Sequence, residues 1–292
     1  MSIREMNPTV QYAGPDSPAN LPTYSVVIPV HGDGEYLVDA VHSALHQTHA
    51  PREVILVNDA ASPVAAARMS ALRAVSDRIC VVDTEGHSGA GIARNTGMEA
   101  ASGKYIAFLD SDDIWVATKM AEQLTAMLDC GALLGATQYG TIKDGRLVAV
   151  PRKSTVGWVD PFRLLVDNPV GTSSAVVHRD VKFRFSQLKR CQDWEAWIEL
   201  GKAGHSFWIV DKLLTYHRVG HSPHSLSSSK VLLLPYQWRI LRKAARRGLL
   251  PSAFLLSLRT IFAVSRMIRS KIKLYQTEKI PKKTARRPRP QI

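Results

Sequence analysis

Cysteine is scarce in this chain of 292 residues: Cys80, Cys130 and Cys191 are the only three, and they are scattered without the spacing of a metal site. That excludes a disulfide framework and points to a reducing compartment. The stretch Met1 to Pro22 is rich in Pro, Asn and Ser and has no apolar core of the kind a signal peptide needs, so it is expected to be a loose arm. No apolar run reaches bilayer length uninterrupted. The longest, Leu249 to Ile268, has Arg259 in its middle and Arg266 near its end, and a charge at the bilayer centre is costly. Acidic residues are almost missing from the C-terminal part. Residues 230–292 hold one, Glu278, against 17 Lys and Arg, so this segment carries +16 while the residues before it sum to −3, within a total of +13.

What is present otherwise is ordinary. A hydrophobic share of 45% and a charged share of 22% are those of a globular protein. The length suits one large α/β domain, alone or with an appendage. Tyr24 to Val30 is a β-branched, apolar run ahead of the turn His31-Gly32-Asp33-Gly34, and Tyr36 to His46 then places Leu37, Val41, Ala44 and Leu45 at helical spacing. Glu53 to Val57 predicts a second strand ending in Asn58-Asp59, Val64 to Val75 a helix, and Ile79 to Val82 a third strand. Strands alternating with helices at this spacing predict a parallel, right-handed α/β sheet of nucleotide-binding type.

Ile106 to Asp113 combines a buried strand with Asp110, Asp112 and Asp113 just past its end. Ligands of open parallel sheets gather there, and clustered hard oxygens suit Mg²⁺ or Mn²⁺. Alone, the same residues equally fit an acidic turn and helix cap. Upstream, Gly86 to Gly97 leads into a helix. Its Gly89 and Gly91 form only a partial glycine pattern, but small residues there let backbone approach a ligand, and Arg94 offers a planar fork to a base or phosphate.

Taken in order, Val27-Ile28-Pro29-Val30, Val57-Asn58-Asp59, Ala93-Arg94-Asn95-x-Gly97 and Phe108-Leu109-Asp110-Ser111-Asp112-Asp113 resemble the family 2 glycosyltransferases, over about residues 24 to 226. The resemblance implies a GT-A fold (α/β, with a mixed, mainly parallel central sheet), a nucleotide-diphospho-sugar donor, Mn²⁺ or Mg²⁺, and inversion at the anomeric carbon. Uridine is the commonest base in the family. Carried over by position, Pro29 and Val30 border the nucleobase, with His31 beside them; Asp59 bonds the base; Arg94 helps hold it. Asp110-Ser111-Asp112 matches the family's Asp-x-Asp element, with Asp110 near the ribose or the metal's water and Asp112 on the metal. The chain departs from the family at His31-Gly32, where Tyr-Asn is usual, at Asn58 in place of an Asp, and at His87 where Asn is common.

A hydroxyl acceptor attacking in line needs a base from another part of the chain. Cys191 to Trp197 resembles the family's Glu-Asp helix start, with Gln192 in place of Glu, and this makes Asp193 the expected general base and Glu195 its competitor. An Asp at a helix start also serves the macrodipole without any chemistry. Trp194 and Trp197 read as core. Leu213 to Ser227 resembles the family's closing segment, where a His reaches the metal or diphosphate; His217, His221 and His224 compete for that role, and His221 is the expected one.

The domain reading is therefore an arm at 1–22, a GT-A glycosyltransferase domain at 23–229, a basic amphipathic helical extension at 230–275 and a disordered basic tail at 276–292. In the extension, Arg259 and Arg266 favour a helix lying in a membrane interface, basic residues toward anionic headgroups, over one that spans; a helical pair packed on the domain is the alternative. A near-neutral body and little aromatic interleaving in the tail disfavour nucleic acid as a partner. A catalytically silent sugar-nucleotide binder would share the donor motifs, but the intact Asp-x-Asp element and Asp193 weigh against it. The sequence thus predicts a cytoplasmic enzyme, peripheral at the inner membrane face, that transfers a sugar from a nucleotide sugar, a UDP-sugar by family frequency, to a glycan or lipid-linked acceptor.

Overall fold

The structure is a computed structural model that describes residues 21–143, 146–149, 156–219, 233–245 and 248–261. In chain order the strands are β1 (Tyr24–Gly32), β2 (Glu53–Ala61), β3 (Ile79–Asp83), β4 (Tyr105–Phe108), β5 (Ile114–Trp115), β6 (Leu134–Lys143), β7 (Arg146–Ala149), β8 (Gly157–Trp158), β9 (Val176–His178) and β10 (Phe207–Arg218). The helices are α1 (Leu37–Leu45), α2 (Pro63–Val75), α3 (Ala90–Ala100), α4 (Lys119–Asp129), α5 (Pro161–Val166), α6 (Gln192–Lys202) and α7 (Leu234–Ala244), followed by a helical stretch at 249–261, here α8.

One sheet runs in the order β3-β2-β1-β4-β9-β6-β10-β5, with β7 on β6 and β8 on β10. β1, β2, β3 and β4 are mutually parallel, β9 runs against β4 and β6, and β10 is parallel to β6. Six strands (β1, β2, β3, β4, β6 and β10) therefore point one way and β5, β7, β8 and β9 run opposite, which is the mixed, mainly parallel sheet expected. Both faces are covered. Val26, Ile28 and Val30 of β1 pack with α1, α2 and α4, while Val27 faces α3, α6 and α7. Strands dry on both sides read as unbroken apolar runs, which is why β1 and β2 are so legible in the sequence. Gly97 brings α3 down onto the sheet, because a Cβ there would run into the side chains of Val27 and Val57.

Three short elements escape the sequence pattern. β5 is held by pairing Trp115 and Ile114 with Thr215 and Tyr216, a contact a hundred residues away in the chain. β8 pairs with β10. α5 begins at an Asp-Pro start, with Asp160 Oδ1 accepting from Phe162 N at 2.7 Å, a helix-start signal present in a stretch that carries no functional motif. Asp113 is not the helix-starting charge its position suggests: β5 follows it, and its carboxylate is buried.

The C-terminal helices pack on the domain. Ile240, Leu241 and Leu255 join the core on the α6 face, Lys243 pairs with Glu195 at 2.9 Å, and Arg259 lies 3.8 Å from the ring centroid of Trp194. Arg259 thus faces an aromatic ring of α6 and not the headgroups expected for it, since a cation over an indole face is stabilised and sheltered there. α8 nevertheless leaves Leu250, Phe254 and Ile261 largely exposed, at 85%, 62% and 62%. Among the described residues no helix is long and apolar enough to cross a membrane; residues 262–292, including the basic tail, lie outside them.

Candidate active site

The parallel strands deliver their carboxyl ends to one edge, and the sequence-predicted residues collect there. Pro29 and Val30 are buried at the end of β1, while His31 is exposed beside them. Asp59 ends β2 and is 2% exposed. Its Oδ1 accepts from Ser88 N at 2.7 Å and Thr84 Oγ1 at 3.0 Å, and its Oδ2 from Gly89 N at 2.9 Å. Gly89 caps α3 at φ +86°, a conformation that suits glycine and that aims its N–H at the carboxylate.

Arg94, one turn into α3, is almost fully buried and donates from Nη2 to Asp110 Oδ1 at 2.6 Å. Among the described residues its Nε and Nη1 have no hydrogen-bond partner. Buried guanidinium donors left open in this way fit the oxygens of an anionic ligand. The guanidinium also rests 5.5 Å from the Phe185 ring centroid.

From Asp110 a hydrogen-bonded chain crosses the site. Asp110 N donates to Ser173 Oγ at 3.0 Å, Ser173 Oγ donates to Asp113 Oδ2 at 2.5 Å, and His217 Nδ1 sits 2.6 Å from that same oxygen. Arg218 N donates to Asp113 Oδ1 at 3.1 Å. Ser173 belongs to the 3-10 turn Thr172–Ser174, which is fixed from behind by Trp115 Nε1 donating to Ser173 O at 2.6 Å and Gln123 Nε2 to Ser174 O at 3.1 Å. The preceding residue of the same turn, Thr172, donates from Oγ1 to Asp193 Oδ2 at 3.3 Å. One turn therefore touches carboxylates from the Asp-x-Asp loop and from the first turn of α6. Asn168 to His178 resembles the family's strand beneath the acceptor site, and Arg218 lies in the closing segment Leu213 to Ser227, so the location of these residues is legible in the sequence, while the individual contacts of Thr172, Ser173 and Arg218 are not.

The competing carboxylate, Glu195, is buried and held by Lys243. Burial opposes its ionisation, but hydrogen bonds from Ser186 and Lys243 and the nearby Lys243 charge leave its pKa below the usual value. Asp193 is half-buried at the start of α6. Among the three candidate histidines, His217 is the one brought to the carboxylates; His221 and His224 lie outside the described residues. Burial disfavours the His217 imidazolium, yet Asp113, with Asp110 and Asp112 beyond it, outweighs that and lifts its pKa to about 9. A Cβ on Gly171 would lie 2.8 Å from His217 Nε2, so the absence of a side chain at Gly171 gives the ring its place.

Ser111 and Asp112 form the outer lip. Asp112 is exposed at the rim; partial loss of hydration beside its neighbours, together with the charges of Asp113 and Asp110, raises its pKa to about 7. Crowded carboxylates of this kind, with hard oxygens and excess negative charge, fit a divalent cation, and Asp112 and Asp110 are the residues that would hold it. At the other end of the edge, His31, Asp59 and His87 present ligand atoms within 4.8 Å of one another.

Comparison with known proteins accords with this geometry. The sequence profile of Glycosyl transferase family 2 matches residues 25–186. Two Escherichia coli proteins are similar over most of their length: WfgD, named a UDP-Glc:alpha-D-GlcNAc-diphosphoundecaprenol beta-1,3-glucosyltransferase, is 30% identical over 222 residues, covering 74% of this chain and 84% of that one. WfaP, which bears the same activity name, is 26% identical over 211 residues, covering 72% and 82%. Among solved structures, S. aureus TarS 1-349 in complex with UDP-GlcNAc superposes with a TM-score of 0.63 at 19% identity, covering 82% of this chain and 71% of that one. A sheet of this order, with its motifs at one edge and a family match across more than half of the residues, leads to one assignment: the chain belongs to glycosyl transferase family 2 and is a glycosyltransferase with the GT-A fold.

Proposed function

We propose that this glycosyltransferase moves a sugar from a UDP-sugar to a hydroxyl of a glycan or lipid-linked acceptor with inversion, Asp193 acting as general base. The observation that carries the reading is the turn Thr172–Ser174, which ties the Asp110 and Asp113 loop to Asp193. A displacement from the face opposite the leaving group needs the diphosphate and the base held in fixed register on either side of the sugar. Arg94, with two open donors, is suited to the nucleotide side, and Asp59 with the backbone of Pro29 and Val30 to the base. The UDP-Glc donor in the activity name of WfgD and the UDP-GlcNAc bound to TarS support a uridine nucleotide, and the activity name of WfgD supports an undecaprenol-linked acceptor. A divalent ion held by Asp112 and Asp110 would neutralise charge on the departing diphosphate. His217, cationic at neutral pH through its pairing with Asp113, adds positive charge at the same edge.

Because repulsion and lost hydration hold Asp112 protonated up to about pH 7, cation binding displaces that proton. Mn²⁺ affinity should therefore rise about tenfold between pH 6 and pH 8, read by calorimetry without any turnover, and Asp112→Asn should remove both the binding and its pH dependence. A flat profile, or wild-type affinity in the variant, would count against the cation site.

A lipid-linked acceptor would bring the enzyme to a membrane, and in this reading the exposed Leu250, Phe254 and Ile261 on α8 supply an apolar stripe beside a strongly basic segment, suited to the anionic inner face. Removing the helices outright would strip Ile240, Leu241 and Leu255 from the core, so point changes are the better test. Leu250→Glu with Phe254→Glu should cut co-sedimentation with anionic vesicles at least about tenfold, given about 1.5–3 kcal/mol for each buried apolar side chain. Unchanged sedimentation of the doubly substituted chain would remove this helix from the membrane contact.

A further inference from the structure

We propose that His31, Asp59 and His87 form a second cation site, selective for a borderline transition ion such as Zn²⁺, and that this ion and the nucleobase exclude one another. The three residues stand at the ends of adjacent strands, His31 on β1, Asp59 on β2 and His87 in the loop after β3, and their ligand atoms lie within 4.8 Å of one another. The imidazole rings stack with centroids 4.5 Å apart. His31 Nδ1 lies 3.0 Å from the carbonyl oxygen of Asp59. As donor in that bond Nδ1 fixes the ring and leaves Nε2 as the nitrogen that carries the lone pair, the tautomer that many metal-binding histidines use.

His87 Nδ1 is 3.6 Å from Asp59 Oδ2. Among the described residues that oxygen accepts one bond, from the Gly89 N–H, whereas Oδ1 accepts two; a carboxylate oxygen has room for a second partner. The set is two imidazoles and one carboxylate whose geometry is held by backbone N–H groups, with both histidines exposed and open to incoming solvent. Imidazole nitrogens favour Zn²⁺ over Mg²⁺ or Mn²⁺, which prefer oxygen. The two ends of the edge thus sort ions by chemistry, oxygen ligands at Asp110 and Asp112, nitrogen ligands at His31 and His87.

The exclusion rests on the reading of Asp59 as the residue that bonds the base, since an ion on Oδ2 occupies the same carboxylate. Zn²⁺ would then act as an inhibitor at the base subsite without touching the catalytic cation.

The test is titration of the full chain with Zn²⁺ against a chromophoric indicator, in excess Mg²⁺ to keep the oxygen site filled. One ion is expected, with affinity lowered at least about tenfold by His31→Ala and by His87→Ala and unchanged by Asp112→Asn. Affinity that survives both histidine substitutions, as zinc held by other histidines would give, overturns the site; so does loss confined to Asp112→Asn. Saturating uridine, which carries no phosphate to chelate the ion, should weaken Zn²⁺ binding severalfold. Zinc bound through both histidines yet insensitive to uridine would overturn the exclusion and the base-subsite reading together, and leave the ion site standing.

Discussion

Asp193→Asn should lower turnover by about 10²–10⁴, the range for loss of a general base, while nucleotide-sugar affinity stays within about twofold. The amide keeps an oxygen for the Thr172 hydroxyl, which donates to Asp193 Oδ2 at 3.3 Å, so the first turn of α6 has no reason to move. What it loses is the ability to take a proton from the acceptor hydroxyl. Glu195 cannot substitute, because Lys243 and Glu195 are paired at 2.9 Å and that carboxylate is buried. Steady-state rates beside calorimetric binding of the donor separate the effects. Retained turnover would move the base elsewhere, and binding lost in step with turnover would make Asp193 a structural residue.

The second large effect is on stability. Asp113→Ala should destabilise the chain by about 3–5 kcal/mol, the usual cost of removing one partner of a buried ion pair, measured by urea unfolding. Asp113 is 3% exposed and is the common partner of Ser173 Oγ, His217 Nδ1 and Arg218 N. Truncation would leave a partly buried imidazolium, a backbone N–H and a hydroxyl without their acceptor. Asp113→Asn should cost less, since it keeps an acceptor oxygen while losing the charge. A loss below about 1 kcal/mol for Ala would show that the junction between the Asp-x-Asp loop and β10 is not held by this residue.

These two residues also mark where the sequence can and cannot be read. Asp193 is legible because a helix start has a local signature and a family position; its Thr172 partner is not, being fixed by the fold of a turn 21 residues earlier in the chain. Asp113 looks like a helix-starting charge because nothing nearby reveals that β10, a hundred residues on, returns to receive it. The same holds for β5, a two-residue strand whose strand partner among the described residues is β10. By contrast, β1, β2 and β4 are dry on both faces, so composition alone identifies them. Arg259 misleads for a different reason: an arginine in an apolar helix fits a lipid headgroup and an indole ring equally well, and only packing of α8 against Trp194 distinguishes them.

The most direct test of the account is the anomeric configuration of the first sugar released when water replaces the acceptor. With an α-linked UDP-sugar and Mn²⁺, proton NMR before mutarotation should detect the β-anomer first, at a rate that falls with Asp193→Asn and with Asp112→Asn. Initial release of the α-anomer, or no cation-stimulated release from any of a panel of UDP-sugars, would contradict inverting transfer from a uridine nucleotide at this site.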